Sequence, residues 1–154
     1  MIKALIVDQA DDDSVSASIR EIEASQLPDD GEVDIAVEYS TINYKDGLCL
    51  NGLGRLVRNY PHVPGIDLAG TVISSRADGI AAGDRVTMNG FRSGEIRWGG
   101  YATRANGKAE WIVKLPNGMS TRHSQMLGTA GFTAMQSILR LEANGMTRHA
   151  VRLQ

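Results

Sequence analysis

Short alternations of apolar and polar residues fill the first three-quarters of the chain and give way to a helical period near its end. Residues 2–7 are apolar and β-branched enough for a strand, and Asp11-Asp12-Asp13 interrupts them with turn formers. Val15, Ala17 and Ile19 then alternate with Ser14, Ser16, Ser18 and Arg20, which predicts a hairpin with one apolar face. Leu27-Pro28-Asp29-Asp30-Gly31 is a turn. The strand after it should turn Val33, Ile35, Val37 and Tyr39 inward, and Glu32, Asp34, Glu38 and Ser40 outward.

The period changes at Asn43. Residues 44–50 predict a short helix that packs Leu48 inward and stops at Asn51-Gly52-Leu53-Gly54. Residues 55–64 hold two prolines and predict an irregular loop over the adjacent surface. Strands are expected over 66–74, 85–88, 101–104 and 111–115, with a tight turn at Ala82-Gly83-Asp84 and a long loop over 89–100. Two helices follow, 121–127 capped by Ser120 and 129–144 closed by Gly145. In the longer one Phe132, Met135, Gln136, Leu139 and Ala143 share a face. Many short strands ahead of the helices predict a mainly β fold, a barrel with helical additions.

Composition narrows this picture. At 154 residues the chain suits one core, and its 17 glycines, mostly in turn contexts, agree with short strands. A single cysteine, Cys49, excludes an intrachain disulfide and any zinc site built mainly from thiolates, and fits a reducing compartment. The apolar start is too short for a signal sequence and no run approaches membrane-spanning length, so a soluble cytoplasmic protein without membrane partners is expected. The net charge of -2 conceals an asymmetry: residues 1–38 hold eleven acids and two bases, leaving seven acids and fourteen bases for the remainder. The basic part offers charge to an anionic ligand, or the two parts neutralise each other within one domain. No basic stripe with interleaved aromatics exists, so no nucleic-acid partner is expected.

The candidate chemistry sits where the alternation ends. Asn43-Tyr44-Lys45-Asp46 places an amide, a phenol, an amine and a carboxylate in consecutive positions after a strand. Asn43 and Asp46 are spaced to stabilise a helix start or to act in catalysis, and Tyr44 to donate a proton or a hydrogen bond or to pack under the loop. Lys45 should be solvated. Asp67, among Ile66, Leu68 and Ala69, needs hydrogen-bond partners if buried. Arg58 and Arg97 are candidates for phosphate recognition, and Trp98, beside two glycines, for lining a substrate mouth or anchoring a loop. Cys49 between Leu48 and Leu50 suits a core, and His62, His123 and His149 form no recognisable triad with serine and acid.

Four motifs occur in one order: Ile42-Asn43-Tyr44-Lys45-Asp46, Val63-Pro64-Gly65-Ile66-Asp67-Leu68-Ala69-Gly70-Thr71-Val72, Trp98-Gly99-Gly100-Tyr101-Ala102 and Gly128-Thr129-Ala130-Gly131-Phe132-Thr133-Ala134. Together they resemble the catalytic domain of the medium-chain dehydrogenase/reductase superfamily, in its zinc-independent quinone oxidoreductase and acrylyl-CoA reductase branch. The resemblance implies a GroES-like, partly open β-barrel over 1–127, and a helix over 128–145 that leads into a nucleotide-binding domain of Rossmann type. It implies NADPH as hydride donor, a small-molecule substrate with an activated C=C or a quinone, and Thr129 and Tyr44 near the nicotinamide. Zinc-dependent relatives carry a cysteine near the position of Asn43 and a His-Glu pair near Ile66 and Asp67, so the resemblance implies no zinc. No G-x-G-x-x-G turn follows a strand here. Residues 146–154 form a tail whose closing Val151-Arg152-Leu153-Gln154 resembles a segment that follows the nucleotide domain in the family, so that domain is expected to be missing. The expected consequence is a catalytic domain inactive alone, or a binding or self-association module whose uncovered surface drives homo-oligomer formation. A ligand binder with a pocket beside Tyr44 and Trp98 is a third reading.

Overall fold

The computed structural model describes residues 1–146. Strands β1 (Ile2–Gln9) and β2 (Val15–Ile22) form an antiparallel ribbon with Ile2 opposite Ile22 and Gln9 opposite Val15. Strands β3 (Val33–Tyr39), β4 (Asp67–Ser75), β5 (Arg85–Asn89), β6 (Arg104–Gly107) and β7 (Val113–Lys114) make a second antiparallel sheet in the order β6-β3-β4-β5-β7. Backbone bonds from Leu5 N–H to Tyr101 O (2.8 Å) and from Thr103 N–H to Lys3 O (2.9 Å) join the ribbon to the segment that leads into β6. Neither sheet closes on itself, so the expected mainly β fold is present as an open barrel.

Alternation along β3 builds the main core. Val33 and Ile35 are fully buried with Leu68 and Val72 of β4, Val86 and Met88 of β5, and Ala105 of β6. Each of the larger side chains among them contributes roughly 1.5–3 kcal/mol by leaving water. The pattern fails at Tyr39, which is exposed, because the β3–β4 register shifts between Val37 and Tyr39 and turns the strand end outward. It fails more widely in β2, where Ala17 and Ile19 are exposed and only Ile22 is buried. The face of β2 that carries Ala17 and Ile19 is left outside the core; Ile22 at its end joins Ile2, Ala4 and Ile6 of β1 in a second cluster with Val63 and Ala102. The strand expected over 101–104 begins only at Arg104, and Trp111 falls in a 3-10 turn before the short β7.

Helix α1 (Tyr44–Leu50) has the expected bounds but a different inner face: Asp46 and Cys49 are buried and Leu48 is half-buried. Helix α2 (Thr121–Ala143) unites the two expected helices across a break at Gly128 (φ 49°, ψ -159°). Ser120 Oγ accepts from His123 N–H at 3.1 Å, and Gly145 ends the helix at φ 85°. Before the break Thr121, Ser124 and Gln125 are buried against the β3–β4–β5 surface. After it Phe132, Met135 and Leu139, which share one face as expected, are 58%, 54% and 53% exposed. The break carries the second half away from the sheet, and among the described residues no element covers that face. The tail expected beyond Met146, including His149 and Val151-Arg152-Leu153-Gln154, lies outside the described residues.

Candidate active site

Two buried carboxylates organise the corner where β3, α1, β4 and α2 meet. Asp67 opens β4 and is fully buried, yet each oxygen has a donor. Thr41 Oγ1 donates at 2.7 Å, Asn43 Nδ2 at 3.1 Å and Thr129 N–H at 2.9 Å to Oδ2, and the Thr129 hydroxyl donates to Oδ1. The carboxylate therefore sits at the start of the second half of α2, where exposed N–H groups favour negative charge. Gly128 makes this approach possible: a Cβ there would lie 2.8 Å from Thr41 Cγ2 and 3.0 Å from Asp67 Oδ2. Asp46, also fully buried, accepts from Asn43 N–H at 2.8 Å and Ile66 N–H at 3.0 Å, which ties α1 to the entry of β4.

The arrangement decides what Asn43 is. Its backbone begins α1, while its side-chain amide points to Thr41 Oγ1 (2.6 Å) and Asp67, so it links the helix start to the β4 carboxylate. Tyr101 closes the corner from behind, donating from its hydroxyl to Thr41 O at 2.9 Å. Burial first, and the negative charge of Asp46 next, hold the Tyr101 phenol well above its usual range, so it stays protonated and acts as a fixed donor.

Outside the corner lies a cleft of about 430 Å³ lined by Asn43, Tyr44, Lys45, Ile66, Gly90, Phe91, Arg92, Glu95 and Thr129. Tyr44 is not packed under a loop; its side chain stands at the rim, 84% exposed. The structure thus brings Asn43, Tyr44 and Thr129 to one cleft. Asp46 does not line it, its oxygens being committed to backbone donors. Lys45, expected to be solvated, donates to buried Glu95 at 2.8 Å. The loop wall opposite is strained, since Phe91 (φ 52°) and Arg92 (φ 60°) follow Gly90 (φ 83°) in the left-handed region.

The remaining candidates lie elsewhere. Arg58 is exposed on the 55–64 loop and does not line the cleft. Arg97 pairs with Asp30 and lies 4.7 Å over the Trp111 ring, and Trp98 Nε1 donates to Pro61 O at 3.3 Å. Arg97 and Trp98 share a narrow recess with Leu27, Pro28 and Val63, separate from the cleft lined by Tyr44. Cys49 is a core residue as expected; burial, then the charge of Asp46, pushes its thiol up to about 11. His62 is buried with Nε2 unpartnered. The residues missed by sequence reasoning are Thr41, Glu95 and Arg92, whose contacts join positions 24 to 50 residues apart or depend on a backbone twist without a periodic signature.

Among the described residues no three His, Cys, Asp or Glu side chains converge as a metal site. Asn43 and Ile66 offer no thiolate or imidazole, and the oxygens of Asp67 already accept from four donors. No helix of the described residues is long and apolar enough to cross a membrane.

Comparison with known proteins places this geometry. The alcohol dehydrogenase GroES-like domain model matches residues 29–117. The acrylyl-CoA reductase AcuI of Ruegeria pomeroyi is 50% identical over 148 residues, which cover 96% of this chain and 44% of that protein. The putative quinone oxidoreductase YhfP of Bacillus subtilis is 45% identical over 135 residues, 88% of this chain and 41% of that protein. Among solved structures, the yhdH oxidoreductase of Salmonella enterica in complex with NADP superposes with a TM-score of 0.91 at 44% identity, covering 96% of this chain and 45% of that one. This chain therefore spans less than half the length of these relatives.

Proposed function

This chain belongs to the alcohol dehydrogenase GroES-like domain family, and from that premise we propose that it is the substrate-side part of a zinc-independent, NADPH-dependent reductase acting on an activated C=C or a quinone. Residues 1–127 supply the catalytic barrel and 128–145 the helix that leads toward a nucleotide-binding domain. The observation that carries the reading is the convergence of Asn43, Tyr44 and Thr129 on one cleft over the fully bonded Asp67. The relatives named as an acrylyl-CoA reductase and an NADP-bound oxidoreductase support it.

The cleft suits the nicotinamide end of the cofactor, with Tyr44 and Thr129 beside it, and the chain offers no G-x-G-x-x-G turn for the pyrophosphate. When bound, the cofactor supplies a hydride to the β-carbon of the acceptor. Tyr44 then hydrogen-bonds the developing enolate oxygen and donates the proton that completes the reduction. Asn43 holds the start of α1 against Asp67, so the phenol is presented from a rigid corner. Asp46 acts through Asn43 and Ile66 as a positioning residue.

A chimaera tests this. Residues 1–145 fused to the remaining portion of the Ruegeria relative should oxidise NADPH with acrylyl-CoA or a quinone. Tyr44→Phe in that chimaera should lower kcat by roughly 10²-fold with KM little changed. Absence of NADPH oxidation with either acceptor overturns the proposal. Calorimetric titration of NADPH into the chain alone should give negligible heat. A second reading, a self-association module, is favoured by the apolar face of Phe132, Met135 and Leu139. Sedimentation of a strict monomer removes it.

A further inference from the structure

The first turn of α1 carries the phenol assigned to proton transfer, yet α1 is too short to hold a direction by itself. A seven-residue helix is marginal alone, and only Asp46 and Cys49 of this one are buried, so contacts with other elements must fix it. Asn43 Nδ2 donates to Asp67 Oδ2 at 3.1 Å, Asp46 Oδ1 accepts from Ile66 N–H at 3.0 Å, and Lys45 Nζ donates to Glu95 Oε1 at 2.8 Å. Among the described residues the Tyr44 side chain has no such tie and stands 84% exposed. The ties of Asn43 and Asp46 both lead to the entry of β4. That of Lys45 leads across the cleft to the 89–100 loop, and among the described residues no other hydrogen bond joins α1 to that loop.

Glu95 is the fixed end of that tie. Its N–H donates to Arg92 O at 3.2 Å, and the N–H of Gly94 before it donates to Arg97 O at 2.8 Å. Gly94, at φ 71°, lies against the backbone that enters β4, where a Cβ on it would stand 2.6 Å from Gly65 N. The Glu95 side chain is 7% exposed and has Arg92 Nε 3.7 Å from its Oε2, whereas Lys45 is 52% exposed. Burying a carboxylate costs desolvation that an apolar contact would avoid, and what the ion pair supplies instead is direction.

Resting on the reductase reading, in which Tyr44 completes the reduction, we propose that Glu95 is a positioning residue: through Lys45 it holds the first turn of α1 across the cleft and so aims the Tyr44 phenol at the acceptor. Ile66 and Asp67 are neighbours in the chain, so their ties act as a hinge along one edge of that turn. Glu95, from another segment, is the third point that stops the turn from rotating about the hinge.

Hydrogen exchange on the chain alone and kinetics on the chimaera test this together. Lys45→Met cuts the tie at its exposed end, where the fold tolerates the change, and Glu95→Gln weakens it from the buried end. In each variant the amides of Asp46 and Gly47, which donate to Asn43 O at 3.0 and 3.4 Å, should exchange roughly tenfold faster. Val72 N–H, which donates to Asp84 O at 2.9 Å within the barrel, should keep its rate. Lys45→Arg should restore slow exchange at Asp46 and Gly47. In the chimaera Glu95→Gln should lower kcat roughly tenfold with KM for NADPH little changed. Added to Tyr44→Phe it should lower kcat no further, because a group that acts through the phenol loses its effect once the phenol is gone. A merely structural Glu95 would instead multiply the two losses. The proposal is overturned if Asp46 and Gly47 exchange at unchanged rates, if Val72 is released along with them, or if the two losses in kcat multiply. A chimaera that oxidises no NADPH overturns the reductase reading, and the exchange rates still decide whether Glu95 holds the turn.

Discussion

The two halves of α2 reverse the usual relation between polarity and burial. Ahead of Gly128 the helix buries Thr121, Ser124 and Gln125; beyond it the helix exposes Phe132, Met135, Ile138 and Leu139. Hydrogen bonds make the first arrangement stable. Thr121 Oγ1 donates to Glu38 at 2.7 Å, and Gln125 Nε2 donates to Thr87 Oγ1 at 3.0 Å. The second half is attached at its start through Asp67, and its apolar side chains border an open groove of about 590 Å³ beside Val113, Leu115 and Pro116. Along this helix a hydrophobic stripe thus reports a surface to be covered, whereas burial follows the bonded polar residues.

The largest effect should come from removing that attachment. Asp67→Ala leaves Thr41, Asn43 and Thr129 without their acceptor in a fully buried site, at a cost of about 3–5 kcal/mol. Urea denaturation should show it as a lower midpoint, and limited proteolysis as new cleavage around Gly128. A loss under about 1 kcal/mol would mean the two halves are not joined through this carboxylate. Gly128→Ala comes next, at roughly 2–3 kcal/mol. It puts a side chain at φ 49° and ψ -159°, where L residues are strained, and into contact with Thr41 and Asp67. Unchanged thermal stability in this variant would dissolve the distinction between the halves.

How far this was legible from sequence depends on the range of the signal. Ser120, Gly128 and Gly145 announced the helix bounds because caps act within a turn, and Val33 and Ile35 announced the core because alternation acts within a strand. The outward turn of Tyr39 was not legible, since it depends on a slip between β3 and β4. Neither was the exposure of Leu139, because periodicity identifies a face and not its partner. In the site, Asp67 declared itself as an acid within an apolar strand. Its four donors come from 24 to 62 residues away, and the Lys45–Glu95 pair spans 50 residues. The positions of Arg97 and Trp98, apart from Tyr44, follow from the Asp30 and Pro61 contacts, which likewise leave no local trace.

Acid sharpens the contrast, because the barrel side holds a buried imidazole. Burial pushes His62 below its ordinary value, opposed by a backbone contact at Gly94, and Nε2 has no partner. A folded-state pKa below the unfolded one means the unfolded chain binds the proton more readily. Stability from neutral His62 is therefore complete above about pH 6.5 and lost as pH falls below it toward the folded value. The loss should be visible as a lower Tm at pH 5.5 than at pH 7.5. His62→Gln should flatten that part of the profile; a slope unchanged by the substitution assigns the acid sensitivity to other groups.

The smallest effect is the most discriminating for the outer half of α2. Leu139 is 53% exposed, so Leu139→Ser removes little buried area and should change the stability of the folded chain by no more than about 0.5 kcal/mol. A leucine packed in a core would cost about 2–5 kcal/mol on truncation to alanine. The substitution should nevertheless reduce any concentration-dependent sedimentation, because it interrupts the apolar face between Phe132 and Met135 on one side and Ala143 on the other. Chemical denaturation at low protein concentration separates the two consequences, since association contributes least there. A loss above about 1.5 kcal/mol under those conditions would mean that the outer half is packed within the monomer, and the reversal of polarity and burial across Gly128 would have to be abandoned.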